Sequence, residues 1–309
     1  MMISRTPVDV VNNHHYSAIN DRQKLDRVIA ELIVDGSIEL SAAQDLHTLG
    51  EAQALLPTDM GVYIASLPKQ TLMSRLERMR AVYAVGYDPV PHLAARRIPS
   101  RQELRQFLNQ AVRECGVHRV LLIGGDVPNP AGPYVDAAAV LREGILAELG
   151  IREVGLAGYP EGHPRIPART LDIALEEKLK LAGDQGLGTY IVTQFSFAPL
   201  RIVEYCARLA HAAPELPIYI GMPGPTGPTQ LVRYARICGV STSLRALIDL
   251  GFKAARLIRH TAPDEQLTVL AHYCAARTTC NVVGVHVYSF GGFFKSAQWM
   301  HRMYTQSEP

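Results

Sequence analysis

The sequence predicts an α/β protein built as a single (β/α)8 TIM barrel, and three observations predict it. Eight short apolar or β-branched runs alternate with longer stretches of helical periodicity, the pattern of parallel strands joined by crossover helices. Eight is also the number that closes such a barrel. The 309 residues suit one barrel of this kind, and no internal repeat or Pro/Gly-rich linker divides them.

The elements follow in order. Residues 1–20 lack the alternation and are expected to form an N-terminal leader, or an arm that packs on a neighbour, leaving 21–309 as one catalytic domain. The runs read as strands are Ser37–Leu40, Gly61–Ser66, Pro89–Ala94, Arg119–Ile123, Glu153–Ala157, Thr189–Thr193, Pro217–Gly221 and Val282–Tyr288. Between the third and fourth, Ser100 and Glu103 make a capping box. Leu104, Phe107, Leu108, Ala111 and Cys115 then recur at helical spacing up to Gly116. Leu171, Ala174, Leu175, Lys178 and Leu181 trace a second amphipathic helix closed by Gly183. A long, mostly helical insertion, Thr229 to Thr279, precedes the last strand. After that strand, Phe294, Trp299, Met300 and Met303 give a helix an apolar face for the barrel or for a second copy of the chain, so a homo-oligomer is compatible with the sequence.

Composition excludes several classes. With 48% hydrophobic and 19% charged residues the chain is an ordinary globular protein. Lys+Arg 31 against Asp+Glu 29 leaves +2, and no run of like charge suggests a nucleic-acid partner. No apolar stretch is long enough for a membrane span, and the first residues lack a signal-peptide layout, so a cytoplasmic location is expected. Five scattered cysteines, none spaced as CxxC, read as buried or inert thiols.

Barrel enzymes carry their chemistry at the carboxyl ends of the strands. There the sequence places Glu39, His92, Asp126, Tyr159, Glu161, His163, Gln194 and Ser289. A Glu within an apolar strand is costly to bury unpaired, so Glu39 is either salt-bridged or a proton donor with a raised pKa. His92 after a proline also suits a satisfied turn, and Asp126 in Gly124-Gly125-Asp126 suits a turn cap. The run Gly158 to Pro164 is harder to read as bland, since two prolines and two glycines fix a loop that presents three polar side chains. No P-loop or GxGxxG fingerprint follows any strand, which argues against a Rossmann cofactor domain. No lysine stands at a strand end for Schiff-base chemistry.

Taken in order, Pro91-His92-Leu93, Gly125-Asp126, Tyr159-Pro160-Glu161-Gly162-His163-Pro164 and Thr193-Gln194-Phe195 resemble the methylenetetrahydrofolate reductase family over about residues 37–290. The resemblance implies FAD bound at the carboxyl face with the folate pterin stacked on it. It implies that Glu39 is the general acid, protonating N10 of the folate so that the bridging ring opens to an iminium ion. It implies that Asp126 is the charge beside flavin and pterin, and that Gln194 bonds the pterin edge. His92, Gly125, Tyr159, Glu161, His163, Asp172 and Ser289 fall at cofactor-side positions.

The sequence also departs from the family pattern. Gly124 replaces an arginine, Leu179 a lysine, and Ser289-Phe290-Gly291-Gly292 the usual Thr-Leu-Asn-Arg. Gly221–Pro228 lacks the aromatic expected to stack NADH, so the resemblance leaves an NAD(P)H site open. These departures raise flavin-free folate binding or methyl transfer as an alternative, and direction toward 5-methyltetrahydrofolate oxidation as a variant. A further alternative is a metal-dependent barrel using His92, Asp126, Glu161 and His163.

Overall fold

A computed structural model describes residues 7–41, 46–67, 70–238, 240 and 263–307. Eight parallel strands close into one barrel in chain order. They are β1 Ser37–Leu40, β2 Gly61–Ile64, β3 Asp88–Ala94, β4 Arg119–Ile123, β5 Glu153–Gly158, β6 Gly188–Thr193, β7 Ile218–Pro223 and β8 Val282–Tyr288. The expected strands are all present, β1, β4 and β8 with the expected bounds and the other five with shifted ends. Strand β7 begins at Ile218 because Pro217 has no N–H to donate, although its carbonyl accepts from Ile191 at 2.8 Å. Strand β2 stops at Ile64, where pairing with β3 ends.

Proline also shapes β3, an interior strand. The N–H of Asp88 donates toward β2, to Met60, so Pro89 and Pro91 stand at the alternate positions facing β4. Accordingly β3 pairs with β4 only over His92–Ala94. Below those pairs, Arg119 of β4 forms an ion pair with Asp88 of β3, and a side-chain bridge takes the place of the missing ladder bonds.

Around the barrel run α1 Pro7–Val34, α2 His47–Ala52, α3 Leu76–Ala84, α4 Arg101–Cys115, α5 Ala137–Arg142 and α6 Ile145–Glu148. They continue with α7 Ala168–Gly183, α8 Pro199–Ala212, α9 Pro228–Ile237, α10 Pro263–Ala275 and α11 Phe293–Ser307. The α4 boundaries arise as the sequence indicates: the Ser100 hydroxyl accepts from the Glu103 N–H at 3.1 Å, and Gly116 takes the left-handed conformation at φ 65°. Helix α1 crosses the expected leader boundary and packs on α11 and β8. Of the insertion, α9 and α10 are its described ends, and residues 241–262 lie outside the described residues. On α11, Trp299 and Met300 are buried in the chain's own core, so this face is spent on the barrel rather than left for a partner.

Alternation along the strands divides the interior in two. Ile38 and Leu40, with Val62, Ile64, Val285 and Val287, face the helices and join the main apolar core. Tyr63, Val90, Leu121, Tyr190 and Val192 fill the barrel itself. Gly155 makes room for this filling, since a Cβ there would lie 2.7 Å from the Tyr190 ring.

Candidate active site

The carboxyl half of the barrel is lined by polar groups stacked from the centre to the mouth. At the centre the Tyr63 hydroxyl donates to that of Tyr190 at 3.0 Å. Edge-on to Tyr63 lie His286, with centroids 4.6 Å apart, and His92, at 6.0 Å. His286 Nδ1 meets the Ser37 hydroxyl at 2.8 Å, and the His92 backbone carbonyl accepts from buried Arg75 at 2.5 Å. The Nε2 atoms of both histidines are buried without a hydrogen-bond partner among the described residues. Burial, then the charge of Arg75, pushes His92 down to about 3, and burial also drives His286 well below its ordinary value, so both rings are neutral.

Above them sits Glu39. Strand β1 turns it inward by the same alternation that sends Ile38 and Leu40 outward. The residue is partly buried, the one position of β1 that reaches solvent. Burial alone raises the carboxyl from 4.5 to about 7. Cys238 at the end of α9 and Tyr288 of β8 are its electrostatic neighbours, and each is pushed up by burial first and by the Glu39 charge second. The Tyr288 hydroxyl donates to the Thr193 carbonyl at 3.0 Å. That approach needs Gly221, where a Cβ would stand 2.1 Å from the Thr193 carbonyl oxygen and 2.8 Å from the Tyr288 ring.

An aromatic wall closes one side of the mouth. Phe195 packs edge-on to Phe197, Tyr288 and Phe290, and Tyr234 of α9 stacks on Phe290 with centroids 4.5 Å apart. Phe290 is held at φ 50°, a left-handed conformation uncommon for an aromatic residue, followed by Gly291 at φ 86°. The chain reverses there and the ring turns onto Tyr234.

The remaining candidates stand on the rim. Asp126 is 67% exposed and its Oδ1 lies 2.6 Å from Arg97. Partial burial works to raise its carboxyl, but the Arg97 hydrogen bond and charge outweigh this and hold it below its ordinary value. Arg96 fastens the same loop by donating to the Val127, Val135 and Pro128 carbonyls. Gly125 takes φ 92°. Tyr159 and His163 pack edge-to-face at 5.3 Å, and the Arg165 N–H bonds His163 Nδ1 at 3.2 Å. Gln194 lies just past β6, its N–H on the Gly158 carbonyl at 2.8 Å and its Oε1 accepting from the Phe195 N–H. Ser289 Oγ is buried without a partner among the described residues. Glu161 is half-buried in the loop after β5.

Asp172, near the start of α7, accepts from Arg208 of α8 at 2.9 Å. Leu179 packs against the main core, while Lys178 beside it is lowered by burial. The four residues of the metal alternative are not gathered: among the described residues no three of His, Cys, Asp and Glu lie close enough to share an ion.

Tyr63, His286, Tyr288 and the α9 contribution were not legible as site residues. For His286 and Tyr288 a signal existed, since Val285-His286-Val287-Tyr288 alternates apolar and polar with period two. The position of Cys238 and Tyr234 depends on where the insertion folds back, which no local pattern records.

A closed parallel barrel with a partly buried, protonatable carboxyl and an aromatic wall at the carboxyl ends of its strands defines an α/β-barrel protein. The methylenetetrahydrofolate reductase family model matches residues 62–289, and the chain belongs to that family. It is 28% identical over 145 residues to methylenetetrahydrofolate reductase 2 of Saccharomyces cerevisiae, covering 45% of this chain and 24% of the yeast protein. It is 27% identical over 157 residues to 5,10-methylenetetrahydrofolate reductase of Pectobacterium carotovorum, covering half of each chain. The matched stretch therefore spans half or less of these relatives. Among solved structures, the fold is shared, at TM-score 0.57 and 11% identity, with a protein from Clostridium thermocellum that binds two copies of 5-methyl-5,6,7,8-tetrahydrofolic acid. That match covers 87% of this chain and 95% of the other. Among the described residues no helix is long and apolar enough to cross a membrane.

Proposed function

We propose that this protein is a folate-dependent one-carbon oxidoreductase that interconverts 5,10-methylenetetrahydrofolate and 5-methyltetrahydrofolate. The observation that carries the reading is Glu39, a carboxyl raised to about 7 by burial at the mouth of a family barrel. A general acid must hold its proton near neutral pH and release it to a substrate nitrogen. In the reductive direction Glu39 protonates N10; the N10–methylene bond breaks toward that nitrogen, leaving an iminium ion at N5. In the oxidative direction the carboxylate takes that proton back as the ring closes.

The other residues orient and exclude. Gln194, at the end of β6 beside the aromatic wall, offers its amide N–H groups to the pterin edge. Phe195, Tyr234 and Phe290 keep water from the reacting face. Asp126 opposes the cationic intermediate, with a charge moderated by its pair to Arg97.

The residues fit FAD on the ring side. His92 Nε2 and Ser289 Oγ are buried polar atoms with capacity for a partner, and Gly124 leaves open space where a side chain would stand. Tyr159, Glu161 and His163 on the loop after β5, with Gly125, would hold the rest of the cofactor. FAD, when bound, supplies the hydride chemistry that no side chain can. A second reading, a flavin-free folate-binding or methyl-transfer partner, is favoured by one observation: Leu179, at the family's lysine position, is committed to the core.

The test is the absorbance spectrum of freshly purified protein, followed by anaerobic 5-methyltetrahydrofolate. A flavin band that bleaches supports the oxidoreductase and its oxidative direction. A colourless protein that binds folate and gains no band with added FAD overturns it in favour of the second reading.

A further inference from the structure

The barrel's opposite end holds a second chemical feature. Cys274, in the last turn of α10, and Cys280, two residues before β8, bring their Sγ atoms to 3.2 Å and share one S–H hydrogen bond. The five residues between them turn back through a main-chain bond from the Arg277 N–H to the Cys274 carbonyl at 3.1 Å, and residues 276–279 are exposed. Arg277 is fixed over this turn, its guanidinium 3.5 Å from the Tyr273 ring centroid and Nη1 donating to the Tyr273 carbonyl at 2.7 Å.

We propose that Cys274 and Cys280 are a reversible thiol/disulfide pair, a two-electron oxidation site for hydroperoxides outside the folate site. The sulfurs stand about 1.2 Å beyond a disulfide bond of about 2.0 Å, and the exposed turn at 276–279 can supply that movement. The roles differ by environment. Cys280 is half-buried, and the Cys274 hydrogen bond, the Val282 N–H and the Arg277 charge together outweigh burial and hold its thiol below the ordinary thiol range. Cys274 is buried, and its thiol is driven in the opposite direction, by the hydrogen bond to Cys280 and then by burial. Of the remaining described thiols, Cys206 neighbours the pair but is buried and pushed up to about 12, by burial first and then by the Cys280 charge, while Cys238 and Cys115 are raised by burial first and lie apart from it.

The steps balance. The Cys280 thiolate attacks one oxygen of the peroxide; an S–O bond forms, the O–O bond breaks, and hydroxide leaves and takes up a proton. Sulfur loses two electrons to oxygen. Cys274 then gives up its proton and attacks the sulfenic sulfur; the S–S bond forms, the S–O bond breaks, and water leaves. Two thiols and one hydrogen peroxide give one disulfide and two waters. The bond would tie the last turn of α10 to the entry of β8 and leave Glu39, at the other end of the barrel, untouched.

The experiment uses the full chain, folded and without folate. The protein is exposed to stoichiometric hydrogen peroxide, its remaining thiols are alkylated, and intact mass and peptides are read before and after dithiothreitol. The expected result is a loss of two hydrogens, one peptide pair joined through Cys274 and Cys280, and full reversal by the reductant. In Cys274→Ser, Cys280 is instead trapped by dimedone as a sulfenic acid. Full alkylation of both cysteines after peroxide, linkage through Cys206, or a bond formed only in denaturant each overturns the proposal. None of these readouts depends on folate turnover, so the two readings fail separately.

Discussion

At the residue scale, the molecule concentrates its unusual chemistry on Glu39. Burial raises its carboxyl from 4.5 to about 7. Folded protein therefore holds this proton more tightly than unfolded chain, and between pH 4.5 and about 7 the native state carries more protons. Stability falls as pH rises through that window, by on the order of 2–3 kcal/mol at the upper end. Glu39→Gln removes this contribution, and urea unfolding of the two proteins at pH 5 and pH 8 is expected to show the variant gaining on the native sequence at the higher pH. Turnover carries the same signature with opposite limbs. In the proposed role of Glu39, reduction needs the protonated acid, so its rate is expected to fall above about pH 7, and oxidation needs the carboxylate, so its rate is expected to fall below. In Glu39→Gln, folate binding persists while turnover drops by a factor of about 10²–10⁴, the usual contribution of a positioned acid or base. Retention of turnover with folate bound would remove Glu39 from the chemistry.

At the element scale, the strands were readable because a buried parallel strand is short, apolar and bounded by turn residues, and Ser37–Leu40, Arg119–Ile123 and Val282–Tyr288 fall where the sequence placed them. The α4 helix was readable to its caps because capping is local chemistry. Ser100→Ala deletes one side-chain acceptor at a helix N-terminus and is expected to cost about 1 kcal/mol, read as a lowered urea midpoint with unchanged slope. Helix α9 and the aromatic wall were not readable. Phe195, Tyr234 and Phe290 come from three separate segments and meet only in the folded chain, beside a Tyr288 ring for which Gly221 makes room. The rim was half readable: the loop after β5 was recognised by its prolines and glycines. The pairing of Asp126 with Arg97, 29 positions apart, is a tertiary fact. Gly221→Ala places a methyl against a carbonyl oxygen that cannot move without opening β6, and is expected to destabilise by about 1–3 kcal/mol. Folate affinity falls with it, measured by fluorescence titration, because the Tyr288 ring is displaced.

At the scale of the whole molecule, the barrel is only as closed as its last seam. Strands β1 and β8 pair through Ser37↔His286 and Ile38↔Val287, two positions, as few as β6 and β7, whereas β7 and β8 pair through six. The seam is reinforced from outside. Helix α1 ends on it, and backbone lies directly on backbone: a Cβ at Gly36 would stand 2.9 Å from the carbonyl oxygens of Ile33 and Val285, and one at Gly284 would stand 2.7 Å from that of Asp35. Glycine is required at both positions by close approach, not by dihedral angle. The seam also carries the site, since Ser37 and Glu39 belong to β1, and His286 and Tyr288 to β8. Gly284→Ala is therefore expected to lower stability by about 1–3 kcal/mol and to do more than that locally, with amide exchange quickening in β1 and β8 ahead of β3 to β6. Gly183→Ala is the matched control: nothing lies within 4 Å of its added methyl in α7, and it is expected to hold or gain up to about 1 kcal/mol. Uniform exchange across all eight strands in Gly284→Ala would mean that the barrel opens as one unit. The α1 clamp would then be incidental to how the two halves of the site are held together.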